Sequence, residues 1–151
     1  MTPSERMKRI NILNINQREE AARKLGLLSA ELGRQLERLE KLRRFNLEYR
    51  EQLKRKIAGG LSAPELSRLN RFLASLQQAV EQQQQAVQLA EHNVELGQLE
   101  WRNRHNEVFK LETLSARLLA EEQLQAQRAE QRRVDEANLQ SYWRAQESEA
   151  P

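Results

Sequence analysis

The apolar residues of this chain recur at three- and four-residue steps on both sides of a single interruption. That spacing places them on one face of an α-helix. No strand-like alternation is present. Before the interruption, Leu25, Leu28, Leu32, Leu39, Leu42, Tyr49 and Leu53 form the stripe, broken by Gln35 and Asn46. An Asn at a core position of a coiled coil is a known device for fixing register. Further upstream the spacing reads Ile10, Leu13, Gln17, Ala21, Leu25, a slip toward an eleven-residue repeat that relaxes the supercoil locally. After the interruption the heptad runs without a slip from Leu66 to Leu118, and twelve of its sixteen core positions are apolar. The next seven positions in phase run from Glu122 to Trp143, and only three are apolar. The stripe therefore fades near residue 118.

The interruption, "AGGLSAPEL" at 58–66, carries the signature of a helix stop followed by a helix start. Gly59 or Gly60 suits the left-handed residue that ends a helix. Ser62 and Glu65 have capping-box spacing, and Leu61 and Leu66 stand where a hydrophobic staple would sit. So short a connection between two amphipathic helices folds them back on each other. The expected fold is all-α: an antiparallel two-helix coiled-coil hairpin whose helix 2 is longer than helix 1. Residues 1–151 form a single domain in this reading, with helix 1 at about 4–58, the turn at 59–61 and helix 2 at about 62–147.

Folding about this turn pairs residues whose numbers sum to about 121. Tyr49 then faces Phe72, Phe45 faces Leu76 and Leu42 faces Ala79. Leu13 faces Val108, Ile10 faces Leu111, and Leu118 faces residue 3. Residues 119–151 are left to overhang or fray, a length on the order of 45 Å at about 1.5 Å per residue. Phe45 and Phe72 both fall beside the stripe, at g-type positions, and the two g flanks of an antiparallel pair lie on one side. An apolar patch of Leu42, Phe45, Tyr49, Phe72 and Leu76 is expected there, and such a patch on a polar surface marks a contact site.

Composition agrees with long helices. Charged residues make up 31% of the chain and aromatics 5%, and the prolines are Pro3, Pro64 and Pro151. There is no cysteine, so thiolate metal sites and disulfides are excluded and a reducing compartment fits. Neither a signal-peptide run nor a membrane-length apolar segment appears, and a cytoplasmic protein is expected. Net charge is +3 but unevenly placed: residues 1–58 hold 15 Lys/Arg against 8 Asp/Glu, and the remainder holds 10 against 14. This asymmetry suits two mutually attracting helices or an acidic partner for helix 1. Nucleic acid is weakly signalled, because zinc-finger spacing and a basic block ahead of a zipper are both missing.

Catalytic signals are absent. His92 and His105 complete no E-x-x-H pair, and Gly59-Gly60 leads to no phosphate loop. The glutamine run "QQAVEQQQQAV" keeps Val80 and Val87 in heptad phase and reads as helix surface. No enzyme activity, cofactor or metal is expected.

"LEYREQLKRKIAGG", "RFLASLQQAV" and "RAEQRRVDE", in that order, resemble the FliJ family of flagellar export proteins. The resemblance implies an antiparallel coiled coil similar to the central stalk subunit of rotary ATPases. It implies a non-enzymatic component of the flagellar type III export apparatus, acting as the central stalk of the hexameric export ATPase FliI. Contact with the export gate protein FlhA and escort of export chaperones follow, as does peripheral association with the cytoplasmic face of the membrane through the gate. Leu42, Phe45, Tyr49, Phe72, Leu76 and Ala79 would then face the gate. Arg23, Lys24, Gln131, Arg132, Arg133, Asp135 and Glu136 would face the ATPase. The alternatives are the equivalent stalk of a virulence secretion system and a coiled-coil scaffold or nucleic-acid-binding protein.

Overall fold

The computed structural model describes residues 1–149. Two helices account for nearly all of them: α1, Pro3–Ala58, of 56 residues, and α2, Ala63–Glu149, of 87 residues. The fold is the expected two-helix hairpin with the second helix longer. Contacts group it into two units. The turn unit comprises Gln17–Arg104; the terminal unit comprises Met1–Asn16 with the described part of His105–Pro151.

In the turn unit, Gly60 takes the left-handed conformation, at φ +88°. Its N–H donates to the Ile57 carbonyl at 3.2 Å, one of the two bonds of a Schellman stop. Ser62 then caps α2: its hydroxyl accepts from the Glu65 N–H at 3.4 Å, and its carbonyl accepts from the Leu66 N–H at 3.1 Å. A cap of this kind stabilises a helix by about 1 kcal/mol.

The facing stripes close over one another from this turn. Leu39, Val80 and Val87 form a buried cluster, with Leu32 and Leu42 packed against it. Gln35 and Gln83 meet inside the same seam, where the Gln83 amide donates to the Gln35 side-chain oxygen at 2.7 Å and to its carbonyl at 2.9 Å. Two polar interruptions thus satisfy each other, which holds the register as a core Asn does. Asn46 donates to the Gln77 side chain at 3.2 Å. At Gly97 the helices approach closely: a Cβ there would lie 2.9 Å from Leu28 Cδ1 and 3.8 Å from Leu25 Cα. Glycine suits that position through space and not through backbone conformation, since any larger residue would displace the end of the Leu28 side chain.

The terminal unit departs from the expected pairing. Ile10 and Leu13 are 54% and 61% exposed. Ser4 and Asn11 are buried instead, and Met7 and Asn14 are half-buried. Ser4, Met7, Asn11 and Asn14 continue the 3-4 phase of Arg18, Ala21, Leu25 and Leu28, so the heptad of α1 does not slip. The expected slip followed the apolar residues; the observed seam follows the supercoil phase through polar ones. On α2 the core positions are Val108, Leu111, Ser115 and Leu118, as the heptad requires, with Val108 fully buried.

The start of α1 has its own capping box. Thr2 Oγ1 accepts from the Glu5 N–H at 3.3 Å, and Glu5 Oε2 accepts from the Thr2 N–H at 3.1 Å, with Pro3 at the first helical position. The next free N–H, that of Ser4, is taken by the opposite helix. It donates to Glu122 Oε1 at 2.9 Å, and the Ser4 hydroxyl donates to Glu122 Oε2 at 2.7 Å. Glu122 is therefore the last residue of α2 that α1 covers, one turn beyond the expected limit at Leu118. Residues 123–149 are helical and exposed throughout, a length of about 40 Å at about 1.5 Å per residue. Ala150 and Pro151, the end of the expected overhang, lie outside the described residues.

Candidate functional site

In the turn unit, the g positions of both helices project to one flank, and three rings meet there. Tyr49 and Phe72 have centroids 4.5 Å apart, and Phe45 lies 6.4 Å from each of them, edge-on to Phe72. Such aromatic pairs contribute about 0.5–1.5 kcal/mol each beyond area burial. The cluster still shows its rings to solvent: Phe45 is 48% and Phe72 43% exposed. Leu42 and Ala79 are half-buried beside it. Leu76, expected both at a core heptad position and at the edge of the patch, is buried in the seam at 7% exposure. Its side chain occupies a core heptad position. The arrangement is a half-exposed apolar knob on one flank of the hairpin. It holds no group poised for acid–base or nucleophilic work.

The second expected set is split between the units. Arg23 and Lys24 are exposed on α1 in the turn unit, whereas Gln131, Arg132, Arg133, Asp135 and Glu136 are exposed on α2 in the terminal unit. The latter group is ordered along its own helix. The Gln131 amide donates to Asp135 Oδ1 at 3.0 Å, Arg132 Nε donates to the Arg128 carbonyl at 3.4 Å, and Arg133 pairs with Glu130 at 2.8 Å. Further along, Tyr142 and Trp143 are 57% and 56% exposed, with ring centroids 6.0 Å apart. Surface ion pairs of this kind contribute little to stability.

Two features escaped sequence reasoning. Phe109, 61% exposed, stands at a b position of α2, and Ile12 at a b position of α1. An aromatic off the heptad seam was the available signal. The Ser4–Glu122 contact was signalled by a carboxylate in core phase opposite the start of helix 1. Hydrogen bonds from the Ser4 hydroxyl and then the Ser4 N–H hold the Glu122 carboxyl below its ordinary pKa. Along α1, Glu31 is lowered by bonds from Gln35 and Arg34, and Glu40 by its bond with Arg44.

Among the described residues, no group of three or more His, Asp and Glu side chains is arranged to hold a metal ion. No helix among them is long and apolar enough to cross a membrane. Neither a curated protein nor a solved structure matches the chain. The match that does appear is to a family model described as "Flagellar FliJ protein", and it takes in both helices, the turn, the aromatic cluster and most of the uncovered end of α2. Because that match extends over residues 3–147, the chain belongs to the flagellar FliJ protein family, non-enzymatic helical components of flagellar type III protein export.

Proposed function

We propose that this chain is the central stalk of the flagellar export ATPase ring and links the ring to the export gate. The single observation that carries the reading is the division of exposed chemistry between two surfaces. One is the aromatic knob of Phe45, Tyr49 and Phe72 in the turn unit. The other is the uncovered, charged stretch of α2 around Gln131–Glu136 in the terminal unit. Membership of the flagellar family supports the address.

In this reading the knob docks on the gate protein by apolar burial, with Leu42 and Ala79 at its edge and Leu76 as its base. The α2 stretch, with Arg23 and Lys24 on α1, makes polar contacts to the ATPase subunits and favours their assembled ring by binding it. Differential affinity for the ring over free subunits is all this requires. Export chaperones are further partners, and membrane association is peripheral, through the gate.

Phe72→Ala separates the two surfaces. It is expected to weaken binding to the gate protein at least tenfold while helicity and stimulation of the matching ATPase stay unchanged. Retained gate affinity, or loss of helix content with it, would remove the knob from the interface. Addition of the unaltered protein should raise ATPase turnover; no change would count against the stalk role.

A further inference from the structure

The terminal unit places polar and apolar residues the wrong way round. Its seam buries Ser4, Asn11 and Ser115, at 3%, 4% and 5% exposure. Asn11 donates from Nδ2 to the Val108 carbonyl at 3.3 Å, but its Oδ1 is buried without a partner, as is Ser115 Oγ. One residue away on the same helix, Ile10 is 54% exposed, with Leu13 at 61%. A buried polar atom without a partner is destabilising, and so is an apolar side chain left in water. The unpaired Asn11 oxygen and the exposure of Ile10 and Leu13 are relieved together if the first turns of α1 roll by about one residue, roughly 100° at 3.6 residues per turn, while Ser115 stays in the seam and Arg6 takes the position of Met7. Ile10 and Leu13 then face Leu111 and Val108, while Asn11 reaches solvent. Helices absorb such a shift as a stutter, a local unwinding of the supercoil.

We infer that residues Ser4–Asn16 form a two-position element within the terminal unit, held in the polar setting by the Ser4–Glu122 contact and able to roll into an apolar one. The polar setting is favoured by specific bonds: both Ser4 donors to Glu122, and Asn11 to Val108. The apolar setting is favoured by burial alone. The two exchange which face of this segment meets solvent, Ile10 and Leu13 in one and Asn11 in the other. A partner that covers the isoleucine face selects the first; its release permits the second. The inference rests on packing and is independent of the partners proposed above.

The chain has four isoleucines, Ile10, Ile12, Ile15 and Ile57, so δ1-methyl NMR on the full chain reads the segment directly, with Ile57 in the turn unit as a control. Exchange on the μs–ms scale is expected at Ile10 and absent at Ile57, with a minor state in the range of about 0.1–10%. Glu122→Ala should raise that population at least fivefold and bring the Ile10 methyl within NOE distance of Leu111. Asn11→Leu, which makes the observed seam apolar, should abolish the exchange while helicity is kept. A sharp, solvent-exposed Ile10 signal in both the unaltered chain and Glu122→Ala would overturn the inference. Collapse of Ile10, Ile12 and Ile15 together to random-coil shifts in Glu122→Ala would also overturn it, because that is fraying and not a roll.

Discussion

The turn unit and the terminal unit use the same heptad for opposite chemistry. Near the turn, the core positions hold Leu39, Val80 and Val87, and the polar interruptions Gln35 and Gln83 satisfy each other. Toward the ends of α1 and its partner stretch of α2, core positions hold Ser4, Asn11, Ser115 and Glu122, and Asn11 Oδ1 and Ser115 Oγ stay unpaired, against Asn46 Oδ1 in the much longer turn unit. Periodicity alone decides where the helices touch. Composition at those positions decides how firmly. A well-filled seam is held by burial, whereas a polar seam leaves its segment held by a few directional bonds.

The largest test of that contrast is truncation of the filled seam. Leu39→Ala should destabilise the protein by about 2–5 kcal/mol in urea unfolding, as for buried leucines generally; a loss under about 1 kcal/mol would mean that the turn unit is no better packed than the other. Gly97→Leu, which forces a side chain into the space held by Leu28 Cδ1, should cost about 1–3 kcal/mol by overpacking. Gly33→Ala, at a glycine with nothing within 4 Å, should instead stabilise by about 1 kcal/mol through helix propensity. Equal effects at the two glycines would refute the close approach.

In the terminal unit the sign reverses. Asn11→Leu should stabilise by about 1–3 kcal/mol, because it removes a buried acceptor that has no partner and fills an a position with carbon. A destabilised variant would show that the bond to Val108 outweighs the defect. The smallest effect is on pH dependence. Glu122 has its pKa depressed in the folded state, so its contribution is fully present above the ordinary carboxylate value and fades as pH falls through the lower folded value. Glu122→Gln should therefore flatten the acid limb of the stability curve. Added salt should weaken the exposed pairs of Glu31 and Glu40 along α1 more than this inter-helix contact. A limb unchanged by Glu122→Gln would assign acid sensitivity to those surface pairs.

Much of the architecture was legible from residue spacing. The stop at Gly59 or Gly60, the cap at Ser62, the strict seam of α2 and the meeting of Phe45, Tyr49 and Phe72 on one flank all follow from local rules, since each depends on residues within a few turns or on a pairing set by a short loop. The resemblance in "LEYREQLKRKIAGG" and "RAEQRRVDE" led to the family that the match over residues 3–147 shows. Leu76 illustrates the limit at the candidate site. Its heptad position was plain, but whether a residue at the edge of a seam is surface or base depends on how far the facing helix rolls over it.

The sequence by itself determined two helices, their unequal lengths, the turn between them and the flank that gathers the rings, because helix period and capping chemistry are short-range. Only the tertiary structure decided that α1 keeps its phase through Ser4, Asn11 and Asn14, leaving Ile10 and Leu13 outside. Hydrophobicity read along one chain favours the apolar stripe. The bonds from Ser4 to Glu122 and from Asn11 to Val108 join residues about a hundred positions apart, and they count only once the opposite helix is in place.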